Sequence, residues 1–152
     1  GLYNLFYLGD GLGQEPYRSP TVFNFFLPTY APPGPISQAN LVAPEFQITN
    51  AVTAITTPNY FLRAIAFQLN LWNPDDADER VRLDLAELIG MADDPDALIG
   101  RLDGILTYGN LSAVSHRAVR QAIERLPESE AAERAVMALS LITYSPEFAI
   151  LK

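Results

Sequence analysis

Gly9, Gly11 and Gly13 stand close enough together to raise a phosphate loop, in which successive backbone N–H groups cradle an oxyanion. The pattern fails on inspection. The third glycine of a dinucleotide fingerprint would fall on Gln14 or Pro16, and no strand-to-helix unit with a following Lys accompanies it, so these glycines read as a turn. Asp75, Asp76, Asp78 and Glu79 gather carboxylates of the kind calcium takes, but Arg80 occupies the third ligand position and no Gly follows it. They read as solvated charges before a helix. His116, the one histidine, has Ser112 and Ser115 beside it. Neighbours on one exposed helix face lack the orienting acid, the pocket and the oxyanion donors of a nucleophilic site, so His116 is expected at the surface. Asn110-Leu111-Ser112 matches a glycosylation acceptor formally, yet Ser112 is already needed as a helix cap. No catalytic residue, metal ligand or cofactor motif emerges. The absence of Cys removes thiolate chemistry and Cys-ligated zinc or iron–sulfur clusters.

More informative are polar residues embedded among aromatics and prolines, where a side chain that finds no partner is costly. Arg18, Asn24, Glu45, Gln47, Asn50 and Asn59 are in that position. Either they tie an irregular backbone to the rest of the fold, or they line a site; Arg18, Asn24, Glu45 and Gln47 are the binding candidates. A Glu45–Arg18 pair would be the economical structural arrangement. Pro-rich backbone lacks regular partners and commonly needs side chains to satisfy it, which favours the structural role.

The elements that must position these residues divide unevenly. Residues 1–70 hold only Asp10, Glu15 and Glu45 against Arg18 and Arg63, with eight of the 12 Pro and twelve of the aromatic residues. The rest of the chain carries almost all of the net charge of -8. Residues 1–43 show no sustained helical or strand period, and Pro16, Pro20, Pro28, Pro32, Pro33 and Pro35 forbid a long helix or central strand. Tyr17, Phe23, Phe25, Phe26 and Tyr30 argue against a disordered linker, because each exposes a large ring if nothing covers it.

From residue 44 onward helices are expected. A first runs from Pro44 through Ile55, and a second starts at Pro58 with Thr57 as its cap. A short one lies around Leu83 to Met91. Asp94 caps the next, with Pro95 in its first turn and Leu98, Ile99, Leu102, Ile105 and Leu106 as its apolar face. Ser112 caps another, lined by Leu111, Val114, Ala118, Val119, Ala122, Ile123 and Leu126 and ended by Pro127. The last begins near Glu128 or Ser129 and runs through Ala135, Val136, Leu139 and Ile142 to Ser145-Pro146. The reading is thus a mostly α fold: a bundle of about five helices over 44–152 with the extended Pro/aromatic segment 1–43 packed on it as one domain. With a sequence pI near 4.5 the chain offers no electrostatic footprint for nucleic acid, and no apolar stretch reaches the ~20 residues that span a bilayer.

The run LGQEPYRSPTVFNFFLPTYAPPGPISQANLVAPEFQITNA at 12–51 resembles a stretch near the C-terminal end of the large bacterial family catalogued as domain of unknown function 1800. DDPDALIGRLDGILTYGNLS at 93–112 and ITYSPEFAILK at 142–152 resemble the same family. The resemblance implies a C-terminal fragment of a longer exported protein, located in the periplasm or outside the cell. It implies as partners the remainder of that parent protein or a co-encoded exported protein resembling alkaline phosphatases. It brings no biochemical activity and no catalytic role for Arg18, Asn24, Glu45 or Gln47. The expected function is a non-catalytic structural or interaction region. The alternatives are part of a hydrolytic enzyme whose site the N-terminal region completes, with Glu45, Asn24 or Arg18 on one wall, and a carbohydrate-binding surface built on exposed aromatics such as Tyr3, Tyr7, Tyr17, Tyr30 or Trp72.

Overall fold

The computed structural model describes residues 12–66 and 83–149. Gly9, Gly11, the acidic turn from Asp75 to Glu79 and the aromatics Tyr3, Tyr7 and Trp72 lie outside the described residues. Among those described, the fold is mostly helical, with seven α-helices and no strand beyond an isolated bridge between Thr21 and Asn24. The chain divides into two compact units, one holding the described residues 12–60 and the other 61–66 with 83–149.

Over residues 13–52 of the first unit the prolines confine regular structure to the short helix α1 (Pro35–Gln38) and a 3-10 turn, Pro44–Gln47. The rest is held by scattered bonds: Ala43 N–H donates to the Tyr30 carbonyl at 2.8 Å, and Leu27 N–H donates to Gln47 Oε1 at 2.7 Å. None of residues 12–60 is buried. Tyr17 and Val22 stand at 105% and 95% relative exposure, and Phe23, Leu27, Leu41 and Val42 are exposed as well.

The two helices expected over 44–55 and from Pro58 are replaced by that 3-10 turn and a single helix, α2 (Thr53–Ala66), with Pro58 inside it. Asn50 explains the difference. Its Oδ1 accepts from Val52 N–H at 2.8 Å and Thr53 N–H at 3.1 Å, while Thr53 Oγ1 accepts from Asn50 N–H at 2.8 Å. This reciprocal cap satisfies the first donors and starts the helix before Pro58 is reached. Pro58 then forfeits one backbone bond near the amino end, and Thr57 is not the cap.

The second unit contains the end of α2, α3 (Ala86–Gly90), α4 (Pro95–Leu106), α5 (Ala113–Ile123), α6 (Ala131–Thr143) and α7 (Pro146–Ala149). Asp94 accepts from Asp96 and Ala97 N–H groups, and Ser112 accepts from Ser115 N–H, so both expected caps are made. α6 packs against α3, α4, α5 and α7. Leu98, Ile99 and Leu102 of α4, Val119 and Ile123 of α5, and Ala135, Ala138 and Ile142 of α6 form the core. Ile105 and Val114, expected on apolar faces, are exposed, because each helix turns a narrower stripe inward than its apolar residues would cover. Phe61 of α2 meets Phe148 of α7 edge to face, with centroids 5.5 Å apart.

Two stability differences check this placement. Leu102→Ala is expected to cost about 2–5 kcal/mol in urea denaturation and Ile105→Ala less than about 1 kcal/mol. Asn50→Ala is expected to remove about 1 kcal/mol from the helix it caps, read as lost amide protection across α2.

Candidate functional site

Residues 12–25 fold into an open cleft of about 370 Å³ walled by Gln14, Glu15, Tyr17, Ser19, Asn24 and Phe25, among others. Its shape depends on backbone in the left-handed region. Gly13 takes φ 69°, a conformation that side-chain-bearing residues rarely adopt, while a Cβ there would only touch Thr53 Cγ2 at 3.4 Å, so backbone conformation rather than close approach calls for glycine. Asn24 takes φ 69°, a region Asn tolerates, and is closed onto Thr21 by Asn24 N–H donating to the Thr21 carbonyl at 3.2 Å. Tyr17 takes φ 61°, which strains a bulky residue. Strain of about 1–3 kcal/mol at such a position survives only where the surroundings impose it.

Arg18 pairs with Glu15 across 3.6 Å, with the Glu15 side chain at 16% and the Arg18 side chain at 68% exposure. The carboxylate thus sits in the cleft wall and its counter-charge in solvent. Arg18 is committed to a residue three positions back, and the economical pair with Glu45 is not the one made. Asn24 lines the cleft. Gln47 is used structurally, accepting the Leu27 N–H. Glu45 lies in the 3-10 turn, exposed, and is absent from the cleft wall. The fold therefore brings Arg18 and Asn24 to one loop and places Gln47 and Glu45 elsewhere. The cleft offers donors and acceptors around a neutralised carboxylate, a set suited to holding a polar group. Among the described residues no group of His, Asp and Glu could hold a metal ion.

A second polar cluster joins residues far apart in sequence. Glu147 accepts from Ser112 N–H at 3.2 Å and from Ser115 Oγ at 3.1 Å, and the Ser112 hydroxyl donates to Ser115 Oγ at 3.1 Å. The Ser112 side chain, which reaches Glu147 through the Ser115 hydroxyl it donates to, does most to hold the Glu147 carboxyl down at about 2, from its ordinary 4.5, with the Glu147 backbone N–H, Ser115 and the Ser112 N–H adding to it against partial burial. A carboxylate so weakly basic cannot take a proton from a serine near neutral pH. The cluster is a clamp holding α7 to the start of α5. His116 does not join it: half-buried, its Nε2 lies 3.7 Å from Asp96 Oδ1, and Asp96 also binds Arg120. Asn110 of the formal glycosylation site donates its side-chain N–H to the Thr107 carbonyl at 3.0 Å.

The clamp makes stability depend on acid in a set direction. A carboxyl depressed on folding contributes stability that is complete above its unfolded value near 4.5 and is lost as pH falls toward 2. The difference in melting temperature between the chain and Glu147→Gln is expected to stay constant above about pH 5 and to close as pH falls from there. A difference unchanged down to pH 2 would remove the clamp.

No curated protein and no solved structure matches the chain. A family model does, across residues 3–150, and with the cleft and all seven helices of the described residues inside that span, the chain belongs to the DUF1800 family, described as proteins of unknown function.

Proposed function

We propose that the chain is a non-catalytic structural or interaction region of an exported bacterial protein, working in the periplasm or outside the cell. One observation carries the reading: residues 12–60 contain no buried residue, yet expose Tyr17, Val22, Phe23, Leu27, Leu41 and Val42. Apolar surface of that extent is costly in water and marks a face to be covered. The cover is either the remainder of a longer parent protein or a co-encoded exported protein resembling alkaline phosphatases. The polar residues support the same reading, since Gln47 and the Arg18–Glu15 pair serve to hold the segment. A carbohydrate-binding surface is favoured by one detail, the fully exposed Tyr17 ring beside the polar cleft.

The test is a pull-down of the co-encoded protein and of the parent's preceding region with the chain and with a Val22→Ser/Phe23→Ser/Leu27→Ser variant. Replacing exposed residues is expected to leave the melting temperature of the helical unit unchanged while capture falls at least about tenfold. Equal capture by both forms, or capture of polysaccharide alone that Tyr17→Ala abolishes, would overturn the interaction reading.

A further inference from the structure

Arg134, in the second turn of α6, is 4% exposed, and its Nε and Nη1 are closed to solvent with no hydrogen-bond partner. The other arginines with ion pairs behave differently: Arg18, Arg101 and Arg120 meet Glu15, Glu87 and Asp96 at the surface. Arg134 lies on the covered side of its helix. Ala138 and Leu141 follow it at helical spacing, Ala138 is buried and Leu141 packs against the core, whereas the adjacent Glu133 is exposed. With Nε and Nη1 both removed from water and unsatisfied, the guanidinium is held unfavourably, and a Met or Leu there would fill the space without that cost. An arginine in this setting is explained by an anion that it receives.

We propose that Arg134 is the anchor of an oxyanion site in the helical unit, taking the carboxylate or phosphate group of a small ligand. The chemistry selects that class. The two bidentate edges of a guanidinium pair Nη2 with either Nε or Nη1, so a planar carboxylate or a phosphate on either edge satisfies one of the two unpartnered nitrogens. General attraction cannot substitute for such a site, because the chain carries a net charge of -8 and repels anions on average. Since both nitrogens are shut off from solvent, the side chain or its cover must move to admit the ligand, and association is slower than diffusion allows.

The experiment is thermal melting of the whole chain at fixed ionic strength, with citrate or inorganic phosphate replacing chloride, supported by calorimetric titration of the same anions. The melting temperature is expected to rise by about 5–10 °C at roughly 100 times the dissociation constant. Arg134→Met is expected to melt at or above the unliganded wild type and to show no anion response. Arg134→Lys, which keeps the charge should Arg134→Met fail to fold, is expected to keep part of the response. An equal rise in wild type and Arg134→Met, or no rise and no heat with either anion in wild type, would overturn the site. A concentration-dependent dimer that is lost in Arg134→Met, with no response to small anions, would assign the oxyanion to a carboxylate of a second copy and overturn the small-ligand proposal.

Discussion

Ala135 and Ala138, both fully shielded, give α6 a face small enough to lie directly against its neighbours, and Ile142 one turn further on fills the space that remains. Helices whose contact residues are this small approach toward the short end of the usual ~8–10 Å range, which brings Leu98, Ile99 and Leu102 of α4 and Val119 and Ile123 of α5 into one continuous core. α6 touches α3, α4, α5 and α7, so the order of the second unit depends on that face. A larger residue at Ala135 or Ala138 would push α4 and α5 apart together, since interiors transmit such strain.

Polar interactions finish what the core begins. Asp94 and Ser112 set where α4 and α5 start, and Glu147 reaches back across 35 residues to the Ser112 N–H, so the beginning of α5 and the short α7 are fixed by the same atoms. In the first unit the balance is reversed. With no buried residue among 12–60, side-chain bonds such as Gln47 to Leu27 and Asn50 to Thr53 hold backbone that no core supports. Bonds of this kind specify a shape, yet each adds only about 1 kcal/mol of net stability. A segment built on them leaves Tyr17, Val22, Phe23, Leu27, Leu41 and Val42 exposed, the observation on which the proposed interaction role rests.

The sequence made some of this legible. Asp94-Pro95 and Ser112 announce their helices because capping is a local property, readable from residue type and position. Pro58 misled because a proline at a first turn and one tolerated within a helix look alike until the upstream cap is found, and the Asn50/Thr53 spacing was the signal that would have found it. Ile105 and Val114 fit helical periodicity but face outward, since which part of an apolar stripe is covered depends on neighbouring helices. Arg134 is the converse case: residue type assigns arginine to solvent, and tertiary packing overrules it. At the cleft, Arg18 and Asn24 were identifiable as polar residues in apolar company. That Arg18 would choose Glu15 and that Glu45 would stand apart are matters of chain path, which spacing does not encode.

The two units are asymmetric: the second carries its own core, and the first has no buried residue among 12–60, which the proposed function assigns to a face that a partner covers. Hydrogen exchange on the chain alone, and again with the proposed cover present, whether a longer parent protein or a co-encoded exported protein, tests that proposal directly. Amides of α4, α5 and α6 should be protected in both settings, while those of residues 12–50 exchange quickly in the chain alone and become protected when covered. Protection of 12–50 in the isolated chain equal to that of α6, or no gain in either assembly, would contradict the account.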